Sequence, residues 1–499
     1  MYIGGSASKP PLRGVTPLRT LYSKTPDMGV FETGFQRDMS LWWGVGLSPT
    51  STAAKEQHAM PDTIFAPATP AGGAIAVIRA SGPDCARALF ALTGKTPDAT
   101  PRRMARAAIT SAGKQLDDAM AVFYRAPASY TGEDMFELFC HGGPAVLRAV
   151  LGALTEEGLR PAEPGEFTRR AFLNGKMDLT QSEAVMDLIQ AQARLSADAA
   201  LEQMQGRLRD EIVTVEALLT DALSAISAAI DYPEELDEDV FTALPGQLAV
   251  ARASLESLIA QGKGGRVLRE GFRVVLMGRP NAGKSSLLNA LLGYDRAIVT
   301  PQPGTTRDVL EEALTLDGIP LRLFDTAGLR EAADEAEREG VARARDAFSQ
   351  ADAVLVLLDG SAPLTEADFS LLRDTVNAPR VLLRTKADLP KGWDVRLEGL
   401  HPNERLMDIS VRTGEGIEPL REALKTIAGP IAGAYVTNAR HIHALQEALC
   451  AVRQAKAAAD YDCAATDIRD ALSALGHITG RAVDDAVIDR IFERFCVGK

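Results

Sequence analysis

Hydrophobic spacing changes character several times along the chain, and each change marks an element boundary. Between residues 61 and 178, short apolar runs dominate: AIAVIRA (74–80), DAMAVFYRA (118–126) and DMFELFCHG (134–142). Their length, alternation and flanking Gly, Pro and polar residues predict strands. With one or two helical stretches between them, they predict an α+β unit. From residue 181 to 229 the apolar positions recur at helical spacing, with no proline before Pro233, which predicts long helices. From 271 to 430 strands and helices alternate. FRVVLM, LRLFDT, AVLVLLDG and RVLLRTKAD are the strands, and the pattern predicts a parallel sheet covered by helices on both faces. Helical spacing returns over 431–499. The expected order is therefore an N-terminal α+β domain at 61–178 and a helical domain in two parts, 179–270 and 431–499. An α/β domain at 271–430 is inserted between those parts. Residues 1–59 are rich in Gly, Pro, Ser and Thr without sustained periodicity, so a disordered extension is expected there. Met60 directly precedes the first strand-like segment and is the expected true start.

Composition adds limits. A chain of 499 residues is too long for one hydrophobic core. Its 46% hydrophobic and 24% charged content are ordinary for a globular protein. No continuous apolar run of about 18 residues predicts a membrane span. Five scattered cysteines without a C-x-x-C pair point to a reducing, cytoplasmic setting with neither a disulfide framework nor a zinc site. The net charge of −13 excludes bulk nucleic-acid coating, so an RNA partner needs a local basic patch or a second protein. Residues 61–180 carry 13 basic and 13 acidic side chains, whereas 181–270 carry 7 and 16, a shift that supports the boundary near 180.

The inserted segment carries the chemistry. GRPNAGKSS (278–286) follows a strand and opens a helix, matching G-x-x-x-x-G-K-[ST] in the context that pattern requires. Backbone amides from Asn281, Ala282, Gly283, Lys284, Ser285 and Ser286 would curl round phosphates. Lys284 would reach the β and γ phosphates, and Ser285 would hold Mg²⁺. Downstream, PGTT (303–306) presents Pro303, Gly304, Thr305 and Thr306, with Thr306 as second Mg²⁺ ligand and γ-phosphate sensor. DTAG (325–328) contributes Asp325, Thr326, Ala327 and Gly328 near the metal. TKAD (385–388), that is Thr385, Lys386, Ala387 and Asp388, ends another strand. An aspartate there accepts from guanine N1–H and N2–H₂, which adenine does not offer. The usual motif is NKxD; here Thr385 replaces the asparagine. SVR (Ser410, Val411, Arg412) resembles the loop that packs near the base.

One residue is missing. In Ras-like GTPases a glutamine follows the DxxG glycine and orients the attacking water. Leu329 stands there instead. Either hydrolysis is poor, or the chemistry comes from elsewhere. Asn281 together with RAIVTPQPGTT (296–306) resembles GTPases activated by potassium. That resemblance implies K⁺ held by Asn281, Thr300, Gln302 and Thr305, with Pro301 in the same loop, offsetting charge between the β and γ phosphates.

The remainder narrows the family. PDTIFAPATPAGGAIAVIRASG (61–82), YTGEDMFELFCHGG (130–143), PGEFTRRAFLNGKMDLTQSEAV (164–185) and RFCVGK (494–499) resemble the MnmE (TrmE) family of tRNA modification GTPases, from about residue 61 onward. The resemblance implies an N-terminal domain like the tetrahydrofolate-binding domain of aminomethyltransferases, taking a 5-formyl- or 5,10-methylene-tetrahydrofolate at Arg79, Glu137, Lys176 and Lys499. It implies Glu337 as the group that orients water. It also implies a homodimer joined by N-terminal domains, an FAD-containing partner, MnmG, in a heterotetramer, and aminomethyl or carboxymethylaminomethyl transfer to C5 of a tRNA wobble uridine. In the FCVGK ending, Cys496 reads either as a nucleophile or proton carrier, or as a packed cysteine. Cys140 and His141 should point to opposite sheet faces, and His441-x-His443 is too common a pattern to imply metal. Two alternatives stand beside this reading: a ribosome-assembly GTPase, and a non-enzymatic GTP-binding switch.

Overall fold

The computed structural model describes residues 62–96, 102–231, 238–294, 311–325, 348–393, 404, 406–431 and 433–499. The expectations for residues 1–60 lie outside the described residues. Residues Pro61–Lys499 form one compact unit.

The first sheet contains β1 (Ile64–Pro67), β2 (Ile75–Ser81), β3 (Ala105–Ser111), β4 (Lys114–Tyr124), β5 (Met135–His141) and β6 (Arg160–Pro161) in the order β3-β4-β5-β2-β1-β6. Helices α1 (Cys85–Thr93), α2 (Pro144–Glu156) and α3 (Glu166–Leu173) accompany it. Strand alternation decides which side chains face them. Ala76, Ile78 and Ala80 of β2 and Phe136, Leu138 and Cys140 of β5 pack against Leu89, Leu92, Val150 and Leu154. Arg79 and Glu137 therefore fall on the other face, and the antiparallel register sets them directly opposite each other.

The helical region is more broken than its periodicity predicts. Instead of continuous long helices, α4 (Leu179–Gln190), α5 (Arg194–Met204), α6 (Arg207–Asp231) and α7 (Glu238–Glu270) follow one another. Asp178 caps α4 in a capping box with Gln181, whose backbone N–H it accepts at 3.0 Å. Gly206, at φ +91°, turns the chain between α5 and α6. Apolar spacing continues across both breaks because each piece keeps a face in the core, so periodicity alone does not register them.

The inserted domain has β7 (Phe272–Gly278), α8 (Lys284–Tyr294), β8 (Glu311–Leu316), β9 (Ile319–Asp325), β10 (Ala353–Asp359), α9 (Glu366–Asp374), β11 (Arg380–Thr385), β12 (Leu406–Asp408) and α10 (Ile417–Ala428). Its sheet order is β12-β11-β10-β7-β9-β8. In β10, Leu355 and Leu357 enter one core while Val354, Val356 and Leu358 enter another, so both sheet faces are covered. The sheet is not wholly parallel. Edge strand β8 runs antiparallel to β9 through a turn at Asp317 (φ +49°) and Gly318 (φ +86°), the conformation an Asp-Gly hairpin adopts.

The chain ends with α11 (Ala439–Ala457), α12 (Tyr461–Thr479) and α13 (Asp485–Phe492). Leu219 and Ile226 of α6, Leu255 and Leu258 of α7, Leu445 of α11 and Ile468 and Leu475 of α12 share one core. Segments before and after the insertion thus build a single helical body. By length and composition α6 could cross a membrane, but its residues Leu208, Ile212, Val215, Leu219 and Ile226 are buried in that core. The architecture is an α+β N-terminal domain, an all-α domain, and an inserted α/β domain with a doubly covered sheet.

Candidate nucleotide and N-terminal sites

β7 ends at Gly278, where a Cβ would lie 2.7 Å from the Leu357 carbonyl oxygen of β10, so no side chain fits. The loop then turns through Asn281 (φ +62°) and Gly283 (φ +95°) into α8. Lys284 is 5% exposed, and its Nζ donates to the carbonyls of Gly278 at 2.9 Å and Arg279 at 2.8 Å. Ser285 and Ser286 occupy the first turn of α8, the positive dipole end of the helix, which suits phosphate. Arg279 Nε donates to the buried Asp368 at 2.9 Å. Asp368 also accepts from Thr365 N and Oγ1 at the start of α9, so the loop is anchored to that helix.

The base-reading segment is tied to the same loop. Thr385, 4% exposed, can donate its hydroxyl to Ala282 O (2.8 Å) or Leu358 O (3.2 Å). Lys386, at φ +59°, pairs with Asp359 at 2.6 Å. Burial would raise the Asp359 carboxyl, but hydrogen bonds from Lys386 and Ser361 outweigh it and hold the group below the usual carboxylate range. Ser410 Oγ donates to Asp388 Oδ1 at 2.7 Å, and Arg412 Nε lies 2.9 Å from Oδ2. The Ser410 hydrogen bond, aided by Arg412, holds Asp388 ionised below its ordinary range. Ala387 N donates to Ile409 O at 3.1 Å, which stitches the two loops together. Val411 is exposed beside them.

Asn281–Ser286, Thr385–Asp388 and Ser410–Arg412 are thus brought together where β7, β10 and β11 end. Thr300, Pro301, Gln302, Pro303, Gly304, Thr305, Thr306, Thr326, Ala327, Gly328, Leu329 and Glu337 lie outside the described residues. Asp325 closes β9, paired in register with Leu276 of β7, and its side chain is outside the description. Sequence reading did not single out Arg279, Asp359 or Asp368. The one signal for Asp359 is its place at the end of a continuous apolar strand, the position Asp325 also occupies.

The second constellation lies on the first sheet. Arg79 Nε donates to Glu137 Oε1 at 2.9 Å, and Tyr124 OH donates to Oε2 at 3.0 Å. The Arg79 guanidinium stands 5.3 Å from the Tyr130 ring and 5.8 Å from Phe167. Tyr130 OH is 2.9 Å from Thr168 Oγ1. Lys176 Nζ donates to Pro127 O at 2.9 Å, at the base of the loop that carries Tyr130. The tail comes to the same domain: Val497 bridges Pro164, and Gly165 N donates to Cys496 O. Gly498, at φ +95°, lies so close to β1 that a Cβ would sit 2.3 Å from Pro67 O. Lys499 N donates to Cys496 O at 3.3 Å. The Cys496 side chain is exposed, so it is not a packed cysteine.

Cys140 is buried, while His141 is exposed and hydrogen-bonded to Asp117 at 2.6 Å. His441 is buried against Glu183 and His443 is exposed. Among the described residues no His/Cys/Asp/Glu group is arranged to hold a metal.

A phosphate loop, a guanine-type base motif and a doubly covered sheet define a P-loop GTPase domain. The family description "MnmE helical domain" matches residues 179–496, and "GTP-binding protein TrmE N-terminus" matches 63–176. The tRNA modification GTPase MnmE of Natranaerobius thermophilus is 41% identical over 455 residues, covering 88% of this chain and 99% of the relative. That of Geobacter metallireducens is 42% identical over 457 residues, with 88% and 99% covered. The G domain of the T. maritima FeoB iron transporter is 30% identical, covers 31% of this chain and 97% of its own, and superposes at a TM-score of 0.24. This chain belongs to the MnmE family of tRNA modification GTPases.

Proposed function

We propose that the chain is a potassium-activated GTPase that, with the FAD-dependent partner MnmG, adds an aminomethyl or carboxymethylaminomethyl group at C5 of the wobble uridine of tRNA. A tetrahydrofolate supplies the one-carbon unit, and the protein works as a cytoplasmic homodimer within a heterotetramer. The observation that carries this reading is the presence, in one chain, of the TrmE-type N-terminal region and the joined phosphate and base loops. The same N-terminal match supports this reading over the ribosome-assembly alternative.

The residues present fit the proposed ligands. Asn281 stands at the turn of the phosphate loop, where a K⁺ site needs an oxygen donor, and Ser285 opens α8, where Mg²⁺ is held in such loops. Thr300, Gln302, Thr305 and Thr306 complete those sites in this proposal, and Glu337 orients the water. Glu137 offers a carboxylate to pterin donors, and its ion-pair partner Arg79 stands over the Tyr130 and Phe167 rings, aromatic surfaces that suit a planar heterocycle. Lys176 and Lys499 would take the glutamyl carboxylates. The domain bounds 61–178, 179–270 with 431–499, and 271–430 belong to the same proposal.

The test has two arms. GTP hydrolysis is compared in matched KCl and NaCl; equal rates overturn potassium activation, and negligible rates in both support a pure switch. The gene is then deleted in its host and bulk tRNA nucleosides are read by mass spectrometry, with complementation by wild type or Cys496→Ser. Loss of 5-aminomethyl-type uridines restored only by wild type supports the reading and places Cys496 in the modification step. An unchanged profile overturns it.

A further inference from the structure

The chain passes twice between the helical body and the nucleotide-binding domain, and the two passages are fastened together. Inbound, α7 ends at Glu270 and β7 begins at Phe272. Outbound, the segment after α10 runs to Asn438, the cap of α11. Glycines near the end of α7 let the outbound segment lie directly on the helix. A Cβ at Gly265 would fall 1.9 Å from Val436 O, and one at Gly264 would fall 2.8 Å from Pro430 O.

A third element grips both passages. On α4, Asp187 Oδ1 pairs with Arg269 Nε of the inbound helix at 3.1 Å. Its Oδ2 accepts from Thr437 Oγ1 of the outbound segment, also at 3.1 Å. The Asp187 side chain is only 9% exposed. One turn earlier, Glu183 accepts from Asn438 Nδ2 and Arg440 at 2.8 Å each. On the far side of the joint, Arg266 pairs with Asp352, which accepts from Arg273 N at 2.9 Å just ahead of β10.

Two free linker strands would absorb a rotation of the inserted domain. A pair locked backbone-to-helix and held by a third helix transmits it, because packed elements shift between discrete arrangements rather than deform. We infer that Asp187 is a positioning residue that couples the nucleotide state of the inserted domain to α4 and hence to the helical body. The inference rests on the proposed reading only for its use in tRNA modification.

The full chain is tested with Asp187→Asn, which keeps the volume but loses the ion pair, and Thr437→Val, which loosens the other grip without a charge change. GTP kcat and KM are measured first. Amide hydrogen exchange over 179–231 and 439–479 is then compared with GDP and with a non-hydrolysable GTP analogue bound. In both variants kcat and KM stay near wild type, while the nucleotide-dependent exchange difference shrinks by roughly fivefold or more, the lower end of ordinary site-to-site coupling. The inference is overturned if the wild type shows no such difference in these helices, if both variants keep it in full, or if hydrolysis collapses with it, which would make Asp187 merely structural. If coupling is seen but tRNA from the deletion host is unchanged, the modification reading fails and the joint stands.

Discussion

Replacing Thr385 by valine removes one hydroxyl at nearly constant volume, so no cavity forms and overpacking is negligible. That hydroxyl carries a single proton, so it serves Ala282 O or Leu358 O but not both at once. The site is 4% exposed, and water does not replace the donor. Losing a net hydrogen bond costs about 0.5–1.5 kcal/mol, and an acceptor left dry costs about 1–3 kcal/mol. We take about 1.5 kcal/mol as the working figure. Ala282 lies between Asn281 and Gly283, the two left-handed residues that shape the phosphate loop. The loss should therefore be felt as loop misplacement and read out in affinity: about tenfold weaker GDP binding at ~1.4 kcal/mol per decade. Titration with a fluorescent guanine nucleotide measures it, with a urea unfolding curve taken alongside. Thr385→Ser, which keeps the hydroxyl, should bind close to wild type. The reasoning is refuted if Thr385→Val binds GDP as tightly as wild type while its unfolding midpoint drops, because the hydroxyl would then serve only the core.

Asp388→Asn should lose guanine nucleotide by roughly 10²-fold, two charged hydrogen bonds of about 1.5–3 kcal/mol being weakened. The same variant should gain xanthine nucleotide, whose carbonyl accepts from the new amide; competition binding with both triphosphates reads the swap. Burial raises Glu183, yet the buried His441 and Arg440 outweigh it and bring its carboxyl down from 4.5 to about 2. Its stabilisation is thus complete above about pH 4.5 and fades as pH falls toward 2. Glu183→Gln should lower stability near neutrality by about 3–5 kcal/mol and flatten that acid limb, as urea midpoints across the range will show. Gly498→Ala puts a Cβ against Pro67 O at a left-handed position. It should release the tail and weaken the proposed tetrahydrofolate binding, read by calorimetry, leaving GTP hydrolysis unchanged; intact folate affinity would separate the tail from that proposed site.

The phosphate loop was legible because its chemistry is local: strand, glycines, lysine and serine lie within a few residues. The insertion was legible because the period changes at its edges, from helical spacing to alternating strands and helices and back. What stayed hidden was set by contacts across long stretches of chain. Thr385 read as a mild departure from NKxD, and only the fold shows its hydroxyl reaching Ala282. In sequence Asp187 is one polar position on an amphipathic helix, with nothing local to mark its grip on Arg269 and Thr437. Arg79 and Glu137 entered through family resemblance, since each alone is an ordinary strand charge; the register of β2 against β5 makes them a pair. The breaks flanking α5 were invisible to periodicity, and the antiparallel β8 was foreshadowed by an Asp-Gly pair that alternation of strand and helix overshadowed.

The shared core of α6, α7, α11 and α12 has a consequence for biosynthesis. On the ribosome, α6 and α7 emerge first, and their partners emerge only after the entire nucleotide-binding insertion has been made. At roughly 5–20 residues per second, the apolar faces of Leu219, Ile226, Leu255 and Leu258 wait about 10–50 seconds for Leu445 and Ile468. The insertion has its own cores and can close in that interval. Slow elongation over 271–430 should therefore raise the nascent chain's demand for chaperones, and the first helical hairpin is where that demand would fall.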